Sequence, residues 1–143
     1  MKEIVIQLAA AFIGGAGVGL LFGMHPRHLL PAALAGVLSW GVYLGMEELT
    51  HAAFLSCLVA AAAAVVYAEV LARLRRTPAT QFVIAGIVPL VPGSSLYRAM
   101  SFAVRGEMES ARQYGSMTLV YAMAIAAGIS IVMVLRQLQT KKK

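Results

Sequence analysis

The residues best suited to chemistry lie together in one stretch, Gln81-Phe-Val-Ile-Ala-Gly-Ile-Val-Pro-Leu-Val-Pro-Gly-Ser-Ser-Leu-Tyr-Arg98. Pro89 has no N–H for the carbonyl of Ala85, and Pro92 has none for that of Val88, so a helix through them must break. Gly93 permits unusual dihedrals. Ser94 or Ser95 is placed to cap a new half-helix. The N-terminus of that half-helix carries free N–H groups and a partial positive charge, both of which favour an anion. Arg98 follows Ser94 by one turn on the same face. If the half-helix continues to Val104, Arg98 lies about 9 Å inside its far end, at ~1.5 Å per residue. An unpaired Arg at that depth in an apolar segment is costly and should face protein or water. The chemistry on offer is recognition without covalent steps: a carboxylate at the half-helix N-terminus, and a donor for the freed carbonyls. The simpler alternative is a proline kink with no ligand. Two prolines, a glycine, two hydroxyls and an arginine within ten residues exceed what a kink requires.

The elements that hold this segment are long and apolar. Residues 4–24, 29–46, 49–68, 77–97 and 113–135 contain no Asp, Glu, Lys or Arg. Each is close to the ~20 residues that a helix needs to cross a ~30 Å hydrocarbon core. The chain of 143 residues is 60 % hydrophobic and 13 % charged. The predicted fold is all-α: a polytopic membrane protein with helices at about 4–24, 29–46, 50–71, 78–104 and 114–136, in one domain spanning residues 1–143. The fourth helix is broken at Pro-Leu-Val-Pro-Gly. Such a break is tolerated in a membrane only inside protein or beside a water-filled cavity. Residues 4–24 are too long for a signal-peptide core, and no A-x-A site follows them.

The net charge of +6 does not point to nucleic acid, because the basic residues gather at helix ends. With five spans, Arg27, Arg73, Arg75, Arg76, Arg136, Lys141, Lys142 and Lys143 share one side. Lys2, Arg98, Arg105 and Arg112 share the other, with Glu47 and Glu48. Eight against four puts the first set in the cytoplasm, with the N-terminus outside and the C-terminus inside a cell membrane. A re-entrant fourth segment changes the tally to seven against five.

Other positions carry weaker signals. Gly15-x-x-x-Gly19-x-x-x-Gly23 sets three glycines on one face, for packing within the chain or against another subunit. The alanine run 60–64 is a second flat surface. Tyr43 suits an interfacial aromatic belt, and Trp40 is somewhat deep for one. His25 and His28 lack the further ligands of a metal site, so a polar turn is expected before helix 2, with Pro31 in its first turn. Glu69 is four residues before Arg73, a spacing for an ion pair. Its functional alternative is proton coupling beside a cavity. Thr77 and Pro78 read as N-cap and first residue of helix 4. Residues 105–114 form the strongly polar loop. Cys57 is a packing residue.

Much is absent. The chain has no Asp and no Asn. It has no G-x-x-x-x-G-K-[ST], no H-E-x-x-H and no G-x-S-x-G. No enzyme activity, metal or cofactor is expected, and Glu69 and His51 are the few ionisable groups available for proton coupling.

The stretch Pro78-Ala-Thr-Gln-Phe-Val-Ile-Ala-Gly-Ile-Val-Pro-Leu-Val-Pro-Gly93-Ser-Ser-Leu-Tyr97 resembles the threonine/serine exporter family. So do Phe22-Gly-Met-His-Pro-Arg27, Ala35-Gly-Val-Leu-Ser-Trp-Gly41 and Ala68-Glu-Val-Leu-Ala-Arg73. The likeness covers nearly the whole chain and is closest to the short C-terminal-half type, the small subunit of two-component exporters. It implies export of small metabolites, threonine and serine or dicarboxylates such as succinate. It implies a larger companion membrane subunit with its own Pro-Gly break. By position it puts Pro89, Pro92, Gly93, Ser94, Ser95 and Tyr97 near the substrate path. The rival classes are a non-transporting membrane interaction subunit and a homo-oligomeric channel.

Overall fold

The computed structural model describes residues 2–141, so Met1, Lys142 and Lys143, the last two counted in the basic tail, lie outside the described residues. It is all-helical: α1 Lys2–Leu21, α2 Pro26–Thr50, α3 Ala53–Arg75, α4 Ala79–Ile87, a 3-10 turn Val88–Leu90, α5 Gly93–Val104 and α6 Met108–Lys141. Helices α1, α2, α3 and α6 are each long and apolar enough to cross a membrane. The fourth segment, α4 with its 3-10 turn followed by α5, is bent by 52° and makes a fifth span if it counts as one.

The helix ends follow local chemistry. α1 stops in a Schellman turn, with Gly23 N–H on Leu20 O and Met24 N–H on Gly19 O, both at 3.0 Å. Gly23 takes φ +63°, and nothing lies within 4 Å of a Cβ built on it. It therefore ends the helix rather than extending the packing face expected of it. Pro26 opens α2 with His25 as N-cap. That start places Pro31 beyond the first turn, where its carbonyl accepts the Tyr67 hydroxyl at 3.3 Å. Pro78, not Thr77, is the N-cap of α4, and Thr77 Oγ1 turns back to Arg75 O at 3.0 Å. The expected loop 105–114 is mostly helix. Only residues 105–107 turn, with Gly106 at φ +79°, and α6 starts at Met108.

The core is made of small side chains. Ala32, Ala35, Ala60, Ala61, Ala64, Ala68, Ala85 and Ala124 have no exposed surface, and Phe82 is the largest side chain fully buried. Lipid is as apolar as Leu, so helices in a bilayer gain mainly by close approach, which small residues allow. A Cβ at Gly15 would meet Ala32 O at 2.9 Å and Ala33 Cα at 3.1 Å, and one at Gly19 would meet Leu29 Cδ2 at 2.9 Å. Both glycines thus seat α1 on α2 within the chain. Gly36 lies against Ala11 O, at 2.7 Å from a built Cβ, and Gly128 against Leu58 O, at 2.5 Å. The large apolar residues Ile13, Leu21, Val66 and Leu119 point outward.

The α3–α6 seam should therefore be intolerant at Gly128. Gly128→Leu has to displace α3 backbone, and overpacking of this kind costs about 1–3 kcal/mol or more. Gly17→Leu meets open space. In detergent the first variant should unfold at lower temperature than wild type and the second should not. Equal midpoints would show that the seam does not hold the bundle.

Candidate functional site

Each half of the fourth segment is placed by a different partner. α4 packs into the small-residue surfaces of α2 and α3, where a Cβ on Gly86 would sit 3.1 Å from Ala64 Cβ and 3.4 Å from Ala35 Cβ. Ser39, fully buried on α2, donates its hydroxyl to Gly86 O at 2.5 Å and lies 2.9 Å from Gly36 O. This bond ties α2 to the last turn before the break. α5 instead lies along the first turns of α6.

The break resolves the orphan groups in a specific way. The 3-10 turn gives Val88 O the N–H of Val91 at 3.2 Å, so that carbonyl is not left open as the proline spacing suggests. Pro92, at φ −77° and ψ 55°, forms an inverse γ-turn in which Gly93 N–H reaches Val91 O at 2.7 Å. Gly93 needs no positive φ, and a Cβ there meets nothing within 4 Å. Pro92 is the N-cap of α5, without a side-chain cap bond, so neither Ser94 nor Ser95 caps it. Leu96 N–H makes the first bond of the helix, to Pro92 O at 3.0 Å. The N–H groups of Ser94 and Ser95 belong to the first turn, which has no acceptor within its own helix.

These two serines open into a cavity of about 270 Å³ lined by Trp40, Tyr43, Pro89, Leu90, Val91, Pro92, Ser94, Ser95 and Tyr121. Trp40 and Tyr43 are stacked, with ring centroids 5.1 Å apart, and together form one wall of it. Trp40 Nε1–H donates to Gln7 Oε1 at 3.3 Å. Trp40 and Pro89 also line a second cavity of about 280 Å³, reached from Gln7, Ala10, Ala11 and Gly14 of α1.

Of the residues expected at the site, Pro89, Pro92, Ser94 and Ser95 line the cavity together. Tyr97 does not line it and is 73 % exposed. Arg98 does not line it either. It lies one turn further along α5, where Nη1 donates to Tyr114 Oη at 3.3 Å and the guanidinium sits 5.6 Å from that ring's centroid. Tyr114 supplies both a hydrogen bond and a π face, and a helix-face argument on α5 alone cannot reveal it. Glu69 pairs with Arg136 of α6, not with Arg73. An i,i+4 pair on one helix gains only a few tenths of a kcal/mol, and a guanidinium facing the carboxylate across a packed seam displaces it. The sequence reading missed Ser39, Trp40, Tyr43 and Tyr121 as site residues. A signal was there: Gly36, Ser39, Trp40 and Tyr43 follow i, i+3, i+4, i+7 and so share one helix face.

A bundle of membrane-length helices encloses a proline-broken helix, and a half-helix N-terminus opens into a cavity, a combination that recurs at transporter substrate sites. Residues 7–135 match the family model described as Threonine/Serine exporter, ThrE, and the chain belongs to that family. Searches of curated proteins and of solved structures find no match.

Ser39→Ala should loosen α4 from α2. It leaves a buried carbonyl without its donor, which costs about 1–3 kcal/mol. Thermal unfolding of the purified chain measures this. A midpoint equal to wild type would mean that Ser39 does not position the break.

Proposed function

We propose that the chain is one half of a secondary exporter for small carboxylate-bearing metabolites, with threonine- and serine-type amino acids favoured over dicarboxylates. The observation that carries this reading is that the first-turn residues Ser94 and Ser95 line a cavity that no acidic side chain lines among the described residues. A carboxylate there receives charge-assisted hydrogen bonds and the positive end of α5. No Arg or Lys lines the cavity, which supports one carboxylate rather than two. The faces of Trp40, Tyr43 and Tyr121 suit an ammonium group better than a second anion.

The companion half is supported by what the chain leaves uncovered. Val91, inside the break, is 56 % exposed, and Ser94 is exposed as well. In hydrocarbon, broken backbone has to be covered by protein or face water. A partner of the same kind, a larger membrane subunit with its own break, would close this side. Alternating access then comes from rocking one half against the other.

Efflux from liposomes, normalised to inserted protein, tests the site. Ser94→Ala with Ser95→Gly removes both hydroxyls and loosens the first turn, and apparent affinity for a carboxylate substrate should fall roughly 10- to 150-fold, the equivalent of 1.5–3 kcal/mol. Arg98→Gln should keep wild-type affinity. A large loss at Arg98 with none at the serines would move the anion site to the Arg98–Tyr114 pair. The chain reconstituted alone should be silent. Flux from it alone would favour a homo-oligomeric channel, and no flux even with the companion would favour a docking subunit.

The orientation follows from the basic residues, eight on the side of the C-terminus and four on the other. On this reading the N-terminus is outside and the C-terminus inside the cell membrane. A cysteine tag at the C-terminus should resist an impermeant thiol reagent in intact cells. Labelling there would reverse the orientation or remove a span.

A further inference from the structure

At the opposite end of the bundle from α5, helices α3 and α6 enclose a cleft of about 330 Å³ whose lining changes character along its length. The α3 wall is Val66, Glu69, Val70 and Arg73, and the α6 wall is Val132, Leu135, Arg136 and Gln139. Both sets follow i, i+3, i+4, i+7, so each is a single helical stripe. The two helices run in the same direction, which Cys57 beside Tyr121 and Glu69 beside Arg136 establish. The stripes therefore match level for level. Val66 faces Val132 at the deep end, and Arg73 faces Gln139 at the rim. Seven residues of helix span ~10 Å, so the cleft passes from apolar to cationic within that length.

The charge balance at the rim is positive. Glu69 is committed to Arg136 through Oε1, while Arg73 is exposed and forms no ion pair among the described residues. Glu69 Oε2 is buried, with no hydrogen-bond partner among the described residues. The outward-facing Val66, at 50 % exposure, and Leu135, at 56 %, leave the deep end open to the lipid phase.

We infer that the α3–α6 cleft is a binding site for an anionic phospholipid of the leaflet at the basic end. Its phosphodiester meets Arg73 and Arg136, and an acyl chain lies along Val66, Val70, Val132 and Leu135. A grade from valine to guanidinium along the membrane normal complements an amphiphile in the orientation it already has in the bilayer. Basic pockets between helices are the form that headgroup recognition takes in membrane proteins. This site lies apart from the break and does not depend on which substrate is exported.

The test uses the full chain in neutral detergent. Phosphatidylglycerol should raise its unfolding temperature more than phosphatidylcholine at equal mole ratio, and native mass spectrometry should show retained phosphatidylglycerol. Inorganic phosphate at the same concentration should do neither. Arg73→Gln should fold normally and bind phosphatidylglycerol about fivefold more weakly, the effect of one basic residue near a lipid surface. Arg73→Lys should restore most of the binding. The inference falls if the two lipids stabilise equally, if phosphate reproduces the effect, if Arg73→Gln keeps the preference, or if a second polypeptide is retained on this face in place of lipid.

Discussion

A helix can be broken inside a membrane only where something other than lipid meets the freed backbone, and this constraint organises the whole chain. The break at Pro89 and Pro92 is brought against protein by the smallness of its neighbours. Gly36 would place a Cβ 2.7 Å from Ala11 O and 3.4 Å from Pro89 Cγ, so α1, α2 and the break converge at one glycine. Gly86 does the same between α3 and α2. Larger residues at either position would hold α4 out toward lipid and leave its carbonyls there. The run of alanines on α3 and the glycines of α1 and α2 therefore do more than fill a core. They set helix separations short enough for the buried Ser39 hydroxyl to reach across to Gly86 O.

Once the break is enclosed, its hydrogen-bond accounting selects which groups remain for a ligand. The 3-10 turn and the γ-turn at Pro92 consume the Val91 and Gly93 N–H groups. Among the groups left over are the first-turn donors of α5, at two residues that line the cavity together with the aromatic rings. Among the described residues no ionised side chain lines the cavity, although Glu47 stands behind its Tyr43 wall. Arg98 is held by Tyr114, and Glu69 with Arg136 joins α3 to α6 at the far end of the bundle. Glu69 thus bridges two helices instead of pairing with Arg73 along its own.

How far the sequence reveals this depends on whether the determinant is local. The spans were legible, because charge-free length is a property of one segment. The break was legible, because a proline's missing N–H acts on the residue four back. Helix limits were less so: α6 carries Glu109 and Arg112 into its first turns, since a helix continues past the edge of the hydrocarbon that a hydropathy pattern detects. The spacing of Gly15, Gly19 and Gly23 shows that small residues share a face but not what that face meets. Two of the three pack on α2, and the third ends α1. Partners for Arg98 and Glu69 were hidden for the same reason. Each lies on α6, far away in sequence, and an intrahelical spacing rule cannot weigh a competitor it does not contain. The cavity wall of Trp40, Tyr43 and Tyr121 needs two helices to exist at all.

Energetics bear on why the proposed site would call for a companion half. Two charge-assisted hydrogen bonds contribute about 3–6 kcal/mol, and a helix N-terminus adds roughly 0.3–1 kcal/mol. Association opposes them with at least ~4 kcal/mol of lost translational and rotational freedom. The surplus runs from about −1 to about 3 kcal/mol, below the ~4 kcal/mol that corresponds to millimolar binding. On the proposed reading the site in this chain is therefore too weak alone to retain substrate. On that same reading a companion half with an odd number of spans, related by an axis in the membrane plane, would insert in the opposite sense and bring its own break to the same depth. Its contacts are made to an already positioned substrate, so they add affinity without a second association cost. Binding then depends on both halves being closed around the same molecule, which couples occupancy to the rocking motion that moves it across.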